Sequence, residues 1–415
     1  MKSKTLTFAL GIALLAALAT PVQLAGQKQR YIVIDVGTLG GTFSQAYGIN
    51  NKGTVVGFAT VAGDVALHAF VWRKGVMTDL GTLAPTDTVP ASGAYSINDN
   101  DEVVGFSETS VPDPQNTCGD SLVCVPVIWR DGTVNALPTL GGTDGSASSI
   151  NNRGQVVGVA QAAEIDPTCQ TPVIKPAVWE KGQVRALDTA PFLDGLIGDG
   201  PGPAGNNDNG QIVGTVATCD FSAASAYLWR KDEVVNMGTL GGADITPIAI
   251  NNKGQATGTA FNGNLNRAFL WQDGVATDLG SLPNFPQVHG NSINNRSQIT
   301  GQTCDITESF CTTFIWQSGV MTDLNTIVPP DSSLYMIDPS GINARGEIVG
   351  LAFQNTPNGF VCCHGFLAIP DSSVVGDSAN AAQAEAPQHP QIIIPENIRK
   401  ILEKQLGHRH HIPGL

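Results

Sequence analysis

Carboxylates are the groups in this chain best suited to chemistry, and they concentrate in the longer connections between short apolar segments. A pair of carboxylates can hydrolyse a glycosidic bond, one acting as acid and the other as base or nucleophile. His289 belongs to one of these connections and could move a proton. We expect a ligand-binding face there, with these candidate residues: Asp87, Asp144, Asp194, Asp199, Asp244, His289 and Asp338.

The connections hold too many acids for the sequence to single out a catalytic pair. No Gly-x-Ser-x-Gly elbow, His-Glu-x-x-His helix or phosphate-binding glycine loop occurs. The cysteines lack the Cys-x-x-Cys spacing of zinc sites, and no Asp-x-Asp-x-Asp-Gly calcium loop is present. The sequence therefore predicts no catalytic residue, no metal site and no cofactor, although calcium binding by the acidic loops stays open.

A repeated sequence motif determines where these connections lie. Seven times an asparagine in an Ile-Asn-Asn-Lys-Gly-like turn is followed, after a short Val-rich run, by a glycine seven residues later. A period of this kind over most of a chain predicts a repeat architecture. The asparagines are Asn50, Asn98, Asn151, Asn207, Asn251, Asn294 and Asn343, and the glycines are Gly57, Gly105, Gly158, Gly214, Gly258, Gly301 and Gly350.

One unit, residues 46–80, reads as four short strands. Its first two strands flank an Asn-Asn-Lys-Gly turn, where asparagine and glycine tolerate the left-handed region. Its last two flank an Arg-Lys-Gly turn. Four antiparallel strands in about 45 to 55 residues match one propeller blade. All the tryptophans end third strands, where large apolar side chains suit packing between blades: Trp72, Trp129, Trp179, Trp229, Trp271 and Trp316.

The two ends of the repeat predict a closed ring. The seventh unit stops after its third strand, near Phe366, and an unmatched strand at 31–36 precedes the first unit. We expect the N-terminal strand to complete the last blade, because closure removes exposed sheet edges. The sequence thus predicts an all-β fold, a seven-bladed β-propeller of four-stranded antiparallel blades over residues 31–370.

Propeller geometry sorts the charges between two faces. With the first strand innermost, the short turns 1–2 and 3–4 lie on one face, and the loops 2–3 and 4–1 lie on the other. Most Lys and Arg residues of the repeats fall in the short turns, among them Arg153, Lys181 and Arg230, whereas the acids fall in the long loops. A face of one charge attracts ligands of the other; alternatively, the acids are only solvated loop residues.

The units resemble the HAF family of extracellular repeats, which is named after a His-Ala-Phe triplet. The resemblance covers residues 31–370 and implies an exported, propeller-like protein, with no established enzymatic activity and no catalytic residues. Only the first unit has the full triplet, so the histidine is not a repeated ligand. The segments that carry the resemblance are Gly37-Thr38-Leu39-Gly40-Gly41, Ile49-Asn50-Asn51-Lys52-Gly53 and His68-Ala69-Phe70-Val71-Trp72.

Composition and the N-terminus indicate an exported protein. The 415 residues carry a net charge of −14, which disfavours nucleic acids because their binding depends on neutralising phosphates. Residues 1–19 have the basic start, apolar stretch and small residues of a signal peptide, and 20–30 read as a linker. We therefore expect a secreted or periplasmic protein without a membrane span in its mature chain.

The eight cysteines agree with an oxidising compartment. We predict disulfides Cys118–Cys124 and Cys304–Cys311, each closing a short loop. Cys169 and Cys219 occupy equivalent loops of consecutive units and could pair. The sequence leaves the pairing of the adjacent Cys362 and Cys363 open.

The C-terminal region is expected to be separate from the ring. Residues 371–394 are rich in Ala, Ser, Gln and Pro and read as a flexible linker. An apolar stripe predicts a short amphipathic helix at 395–407, followed by a His-rich tail at 408–415.

Together these features favour an exported binding or structural module with a monomeric body and no catalysis. Its ligand, a carbohydrate or a protein, would engage the acidic long-loop face. The alternative is a carbohydrate-active hydrolase or lyase that uses acids, and His289, at the funnel mouth.

Overall fold

The computed structural model describes residues 29–84, 90–113, 122–188, 203–218, 224–231, 233–261, 263–357, 359–371 and 392–393. Within these ranges the chain folds into seven antiparallel sheets, which are the blades of a β-propeller. The described residues contain no α-helix and one 3-10 helix, Leu324–Thr326. The predicted all-β fold with seven four-stranded blades is confirmed.

The first strand of the chain, β1 (Arg30–Asp35), precedes blade 1. Blades 1 to 4 then follow, each made of four consecutive strands. Blade 1 contains β2 (Gly40–Ile49), β3 (Val55–Val61), β4 (Leu67–Arg73) and β5 (Val76–Asp79). Blade 2 contains β6 (Ser92–Ile97), β7 (Val103–Pro112), β8 (Leu122–Arg130) and β9 (Thr133–Ala136). Blade 3 contains β10 (Gly141–Ile150), β11 (Val156–Ile165), β12 (Pro172–Glu180) and β13 (Gln183–Ala186), and blade 4 contains β14 (Pro203–Asn206), β15 (Ile212–Ala217), β16 (Ala224–Arg230) and β17 (Glu233–Asn236).

Blade 5 has an additional two-residue strand, and blade 7 takes its outer strand from the N-terminus. Blade 5 contains β18 (Thr239–Leu240), β19 (Ala243–Ile250), β20 (Ala256–Phe261), β21 (Asn266–Gln272) and β22 (Val275–Asp278). Blade 6 contains β23 (Gln287–Ile293), β24 (Ile299–Cys304), β25 (Cys311–Gln317) and β26 (Val320–Asp323). Blade 7 contains β27 (Leu334–Ile342), β28 (Ile348–Thr356), β29 (Gly359–Asp371) and β1.

The ring closes as the sequence predicted. Strand β1 pairs antiparallel with β29, placing Tyr31 opposite Pro370 and Asp35 opposite Phe366. The Tyr31 side chain is buried, and its backbone N–H donates to the carbonyl of Ile327 at 2.9 Å. The N-terminal strand therefore satisfies the edge of blade 7, which would otherwise expose unpaired backbone groups.

Beyond the ring, β30 (Ile392–Ile393) pairs in parallel with Phe360 and Val361 of β29. This strand lies within the segment that the sequence predicted to be a flexible linker. The predicted signal peptide 1–19, helix 395–407 and tail 408–415 lie outside the described residues. Among the described residues, no helix is long and apolar enough to cross a bilayer.

Four of the tryptophans join their blade to the one before it. They are largely buried between sheets, and four indole N–H groups donate to a carbonyl at the end of the preceding blade. These bonds run from Trp129 to Leu80, Trp179 to Pro138, Trp229 to Asp188 and Trp271 to Met237. A buried indole needs such a hydrogen-bond partner, so the repeated position serves both packing and blade-to-blade bonding.

The periodic glycine is required by a close approach of two strands. The first strand of a blade shifts register just before its asparagine, as between Gly290 and Ser292 in blade 6. At six of the seven glycine positions, an added Cβ would overlap the carbonyl oxygen of the residue twelve positions earlier, as at Gly301 with His289. Any larger residue would therefore push the two inner strands apart.

The seven repeat asparagines form a closed circle that we call the asparagine ring. Each side-chain Nδ2 donates to the backbone carbonyl of the next asparagine, and Asn343 donates back to Asn50, at distances of 2.8 to 3.2 Å. Each Oδ1 also accepts backbone N–H groups of its own turn, as Asn251 does from Lys253 and Gln255. The side chains are buried. Every blade is thus bonded to the next around the channel.

A second ring, formed by the residues that directly follow the asparagines, lies beside the first. The backbone N–H of one member donates to the side-chain oxygen on the next blade, as from Asp208 to Asn252 and from Asn252 to Asn295. Blade 7 has Ala344 at this position, which donates to Asn51 but offers no side-chain acceptor. The second ring therefore has one gap, between blades 6 and 7.

Disulfides bridge the loops of the long-loop face. Cys304 and Cys311 are bonded with their Cα atoms 4.0 Å apart, and the adjacent Cys362 and Cys363 are bonded to each other. Cys124 and Cys169 each also take part in a disulfide. The partners predicted for them, Cys118 and Cys219, lie outside the described residues.

Candidate functional site

The first strands of the blades line a central channel that opens on both faces. Its short-turn mouth, about 210 Å³, is lined by the asparagine ring and the second ring. There the asparagine side chains are already engaged with one another and with backbone groups. The long-loop half, about 230 Å³, is lined instead by residues such as Tyr47, Tyr95, Asn291 and Ser340. The long-loop half is therefore the better candidate for recognition.

Two of the predicted site residues, His289 and Asp338, come together near this half of the channel. They lie on the first strands of neighbouring blades 6 and 7, and Asp338 is electrostatically coupled to His289. Asp87, Asp194 and Asp199 lie outside the described residues.

The sequence prediction that His289 lies in a loop is wrong. His289 lies in β23, and Asp144, Asp244 and Asp338 lie in the first strands β10, β19 and β27. The apolar pattern hid this, because polar residues interrupt the apolar ones along these first strands. The first strands consequently extend further towards the long-loop face than their apolar segments indicate.

Asp144 and Asp244 do not join the pair at the channel. Asp144 is buried beside blade 2, where its Oδ1 accepts the backbone N–H of Cys124 at 3.2 Å. Burial raises the pKa of Asp144, and the nearby Asp113 adds to this shift. Asp244 is exposed and lies opposite Thr239. We interpret Asp144 as a structural residue and Asp244 as a solvated one.

The environment of Asp338 favours the protonated form of its carboxyl group and so raises its pKa. Its Oδ1 accepts from the amide of Asn291 at 2.9 Å, and Nε2 of His289 lies 3.5 Å from Oε1 of Glu308. Burial raises the pKa of Asp338 to about 6, although His289 and the bond from Asn291 act in the opposite direction. Burial, Tyr95 and Asp338 together raise the pKa of Tyr47, which places Tyr47 close to the same carboxyl group.

Replacing Asp338 with Asn should flatten the pH dependence of stability between about pH 4 and pH 6. The pKa of about 6 in the folded protein exceeds the ordinary 3.8, so the stability contributed by the protonated carboxyl is present below pH about 4. It is lost as the pH rises through about 6, by up to about 3 kcal/mol. Urea denaturation of wild type and D338N across this range measures the difference.

The exposed Asp244→Asn is the matched control for this experiment and should keep the wild-type profile. A D338N profile as steep as that of wild type would contradict the assignment of the raised pKa to Asp338.

An aromatic wall on blades 1 and 2 faces the same part of the channel. The rings of Tyr47 and Tyr95 meet edge to face with centroids 5.4 Å apart. Tyr95 also contacts Phe106 at 5.8 Å, and Tyr47 contacts Phe58 at 5.3 Å. Sequence reasoning missed these residues. The signal was present, because each tyrosine lies three residues before its repeat asparagine.

Blade 6 carries a row of polar side chains directed at blade 7. His289, Gln302 and Thr313 are in register across three strands, and register partners share one face of a sheet. Phe314, next to Thr313, packs with Ala268 of blade 5, so the row faces the other way. Gln302 Oε1 and Thr313 Oγ1 are buried without a hydrogen-bond partner in the described part of the chain. Groups of this kind call for ordered water or for polar atoms of a ligand.

The remaining body histidines are structural. His68 Nδ1 lies 2.8 Å from Asp79, and His364 Nδ1 lies 2.8 Å from Asp35. In each blade this contact joins the third strand to the fourth. Within the described ranges, no three His, Cys, Asp or Glu side chains are grouped so that they could hold a metal ion.

Among known proteins, the chain is similar to solved structures of low sequence identity. No protein-family model matches the sequence, and no curated protein matches it. The β-propeller domain of the trilobed protease from Pyrococcus furiosus is 13% identical, with 69% of this chain and 81% of that chain covered and a TM-score of 0.45. YCF48 in its complex with a D1 peptide is 11% identical, with 83% and 98% covered and a TM-score of 0.46.

A third similar structure is a puromycin hydrolase, 13% identical, with 80% of this chain and 53% of that chain covered and a TM-score of 0.46. This chain therefore spans about half of that protein's length. At these identities the similarities concern the propeller fold alone.

Proposed function

We propose that this protein is an exported, non-catalytic binding module, as the HAF resemblance and the signal-like N-terminus imply. Its ligand enters the channel from the long-loop face. One observation carries the proposal: the aromatic wall of Tyr47 and Tyr95 lines the same channel half as Asn291, which holds the carboxyl of Asp338 beside it. Aromatic side chains beside a few convergent polar groups are a common combination in ligand sites.

The chemistry of the aromatic wall and of the polar side chains beside it favours a carbohydrate. A sugar ring presents C–H faces that pack on aromatic rings and hydroxyl groups that both donate and accept hydrogen bonds. Asn291, Asp338 and His289 supply such polar partners. The cavity of about 230 Å³ is below the usual range for drug-sized ligands, so it suits one sugar ring. A folded protein partner would instead have to use the loop surface around the mouth.

A glycan array followed by calorimetry tests this proposal. Tyr95→Ala and Asp338→Asn should each weaken binding of the best glycan by at least about tenfold. The first removes part of the aromatic wall, and the second removes a carboxyl group of the polar side. Asp244→Asn, an acid on the same face but away from the channel, should bind like wild type. Equal affinities in all four proteins would contradict the proposed site.

The hydrolase alternative has its own readout. A panel of chromogenic glycosides should show no turnover by the wild-type protein. If the wild-type protein hydrolyses a glycoside and Asp338→Asn does not, the protein is a glycosidase rather than a binding module.

A further inference from the structure

A basic cleft lies on the short-turn face between blades 3 and 4. Its volume is about 730 Å³, about three times that of either half of the channel. Five cationic residues line it: Arg153, Lys181 and Arg185 from blade 3, and Arg230 and Lys231 from blade 4. The positive charge is notable because the chain as a whole carries −14.

The equivalent junction between blades 1 and 2 contains its own counter-charge. Lys52, in the first turn of blade 1, lies 3.0 Å from the carboxylate of Asp101 on blade 2. Arg73, after the third-strand tryptophan of blade 1, lies 3.8 Å from the same carboxylate. The cations of blade 1 are therefore neutralised by a carboxylate from the next blade.

Between blades 3 and 4 that carboxylate is missing. Arg153 occupies the position of Lys52, two residues after its repeat asparagine, but the residue in the position of Asp101 is Gly210. A Cβ on Gly210 would lie 3.0 Å from the Arg153 guanidinium, so the arginine reaches over the point where blade 2 has its acid. Glycine is the usual residue at this position of the repeat and Asp101 is the one acid there, so the junction between blades 3 and 4 has the cation without an aspartate at this position.

Three acids also line the cleft, Glu180, Asp188 and Glu233, so its cations outnumber its acids by five to three. The Glu180 carboxylate accepts from the amide of Gln155, and Glu233 pairs with Arg230 at 3.6 Å. In the described part of the chain, no carboxylate lies within ion-pair distance of the other four cations, Arg153, Lys181, Arg185 and Lys231, although Arg153 acts at longer range to lower the pKa of Asp208. The cleft thus has both the space and a net positive lining for an external anion.

We propose that this cleft binds a small ligand with more than one anionic oxygen group, phosphate, sulfate or carboxylate. One such group takes the place that the Asp101 carboxylate has between blades 1 and 2. Arg153 and Arg185 can offer paired N–H donors to its oxygens, and Lys181 and Lys231 add point charges. The net negative charge of the chain and the limited volume of the cleft favour a small molecule over a long polyanion.

Gly210→Asp gives a sharp test, because it supplies from the chain the carboxylate that the ligand would otherwise provide. Asp101 has a φ of 64° and Gly210 a φ of 78°, so aspartate fits this backbone conformation. Calorimetry at low salt with inorganic pyrophosphate, sulfate and citrate should show saturable binding of at least one of them to wild type. Gly210→Asp and Arg153→Gln should weaken it at least about tenfold.

Lys52→Gln is the matched control, since it removes an equivalent cation that is already paired, and it should bind like wild type. Circular dichroism confirms that each variant is folded. The proposal is overturned if wild type binds none of the three anions, or if Gly210→Asp binds as tightly as wild type. Because the glycan test uses the opposite face, the two proposals can fail separately.

Discussion

A chain that begins at Gly37 is expected to lose cooperative folding, because it lacks β1. Six residues of β1 pair with β29, and the Tyr31 side chain is buried among blade 7 residues such as Phe366. Losing a buried aromatic side chain alone costs about 3 to 5 kcal/mol, and the unpaired edge of β29 adds to that. Domains are stable by only about 5 to 15 kcal/mol in total. Thermal unfolding followed by circular dichroism, together with size-exclusion chromatography, measures the loss.

The control is a chain that begins at Gln29. It also lacks residues 1–28 but keeps β1. It should unfold in one transition at the full-length midpoint. A peptide of residues 29–36, added to the shorter chain, should restore part of the stability by pairing with β29. If the chains beginning at Gln29 and Gly37 melt alike, ring closure by β1 does not stabilise the fold.

Asn251→Ala is expected to destabilise the fold by about 2 to 5 kcal/mol. The side chain is buried, donates to the carbonyl of Asn294 and accepts the N–H groups of Lys253 and Gln255. Alanine would leave these backbone groups without partners inside the protein, and each buried unpaired group costs about 1 to 3 kcal/mol. Chemical denaturation gives the difference directly.

Asn252→Ala is the matched control, since it is the adjacent residue with the same change of side chain. Asn252 is only half-buried, and blade 7 already has Ala344 at the equivalent position. Its loss should be no more than about 1 kcal/mol. Equal losses for Asn251→Ala and Asn252→Ala would show that the asparagine ring contributes no more than ordinary surface hydrogen bonds.

The asparagine positions illustrate how far sequence reasoning reached. The pattern indicated that each asparagine stabilises its own turn, and it does, through Oδ1. Its bond to the next blade joins residues 43 to 56 positions apart, and Asn343 bonds to Asn50 across 293 positions. Such bonds depend on how the blades pack around the axis, and the local pattern carries no information on that packing.

For the candidate sites, too, sequence reasoning found some residues and missed others. The acid-rich loops drew attention to His289 and Asp338, but the sequence placed His289 in a loop, and it missed Tyr47 and Tyr95. The wall that these tyrosines form depends on which side of the channel each blade occupies. Likewise, the charge pattern assigned Arg153 to the short-turn face, but only the tertiary structure shows that it lies over Gly210 of the neighbouring blade, in a cleft with more cations than acids.

By itself, the sequence determined the number of blades, the order of their strands and the strand that closes the ring. These follow from hydrogen bonding and packing within one unit and from the number of units, both of which are local and periodic. The tertiary structure decided which side chains meet across blade boundaries, including the asparagine ring, the channel walls and the basic cleft. Contacts of that kind depend on the angle and spacing between blades, which the packing of all seven sheets sets together.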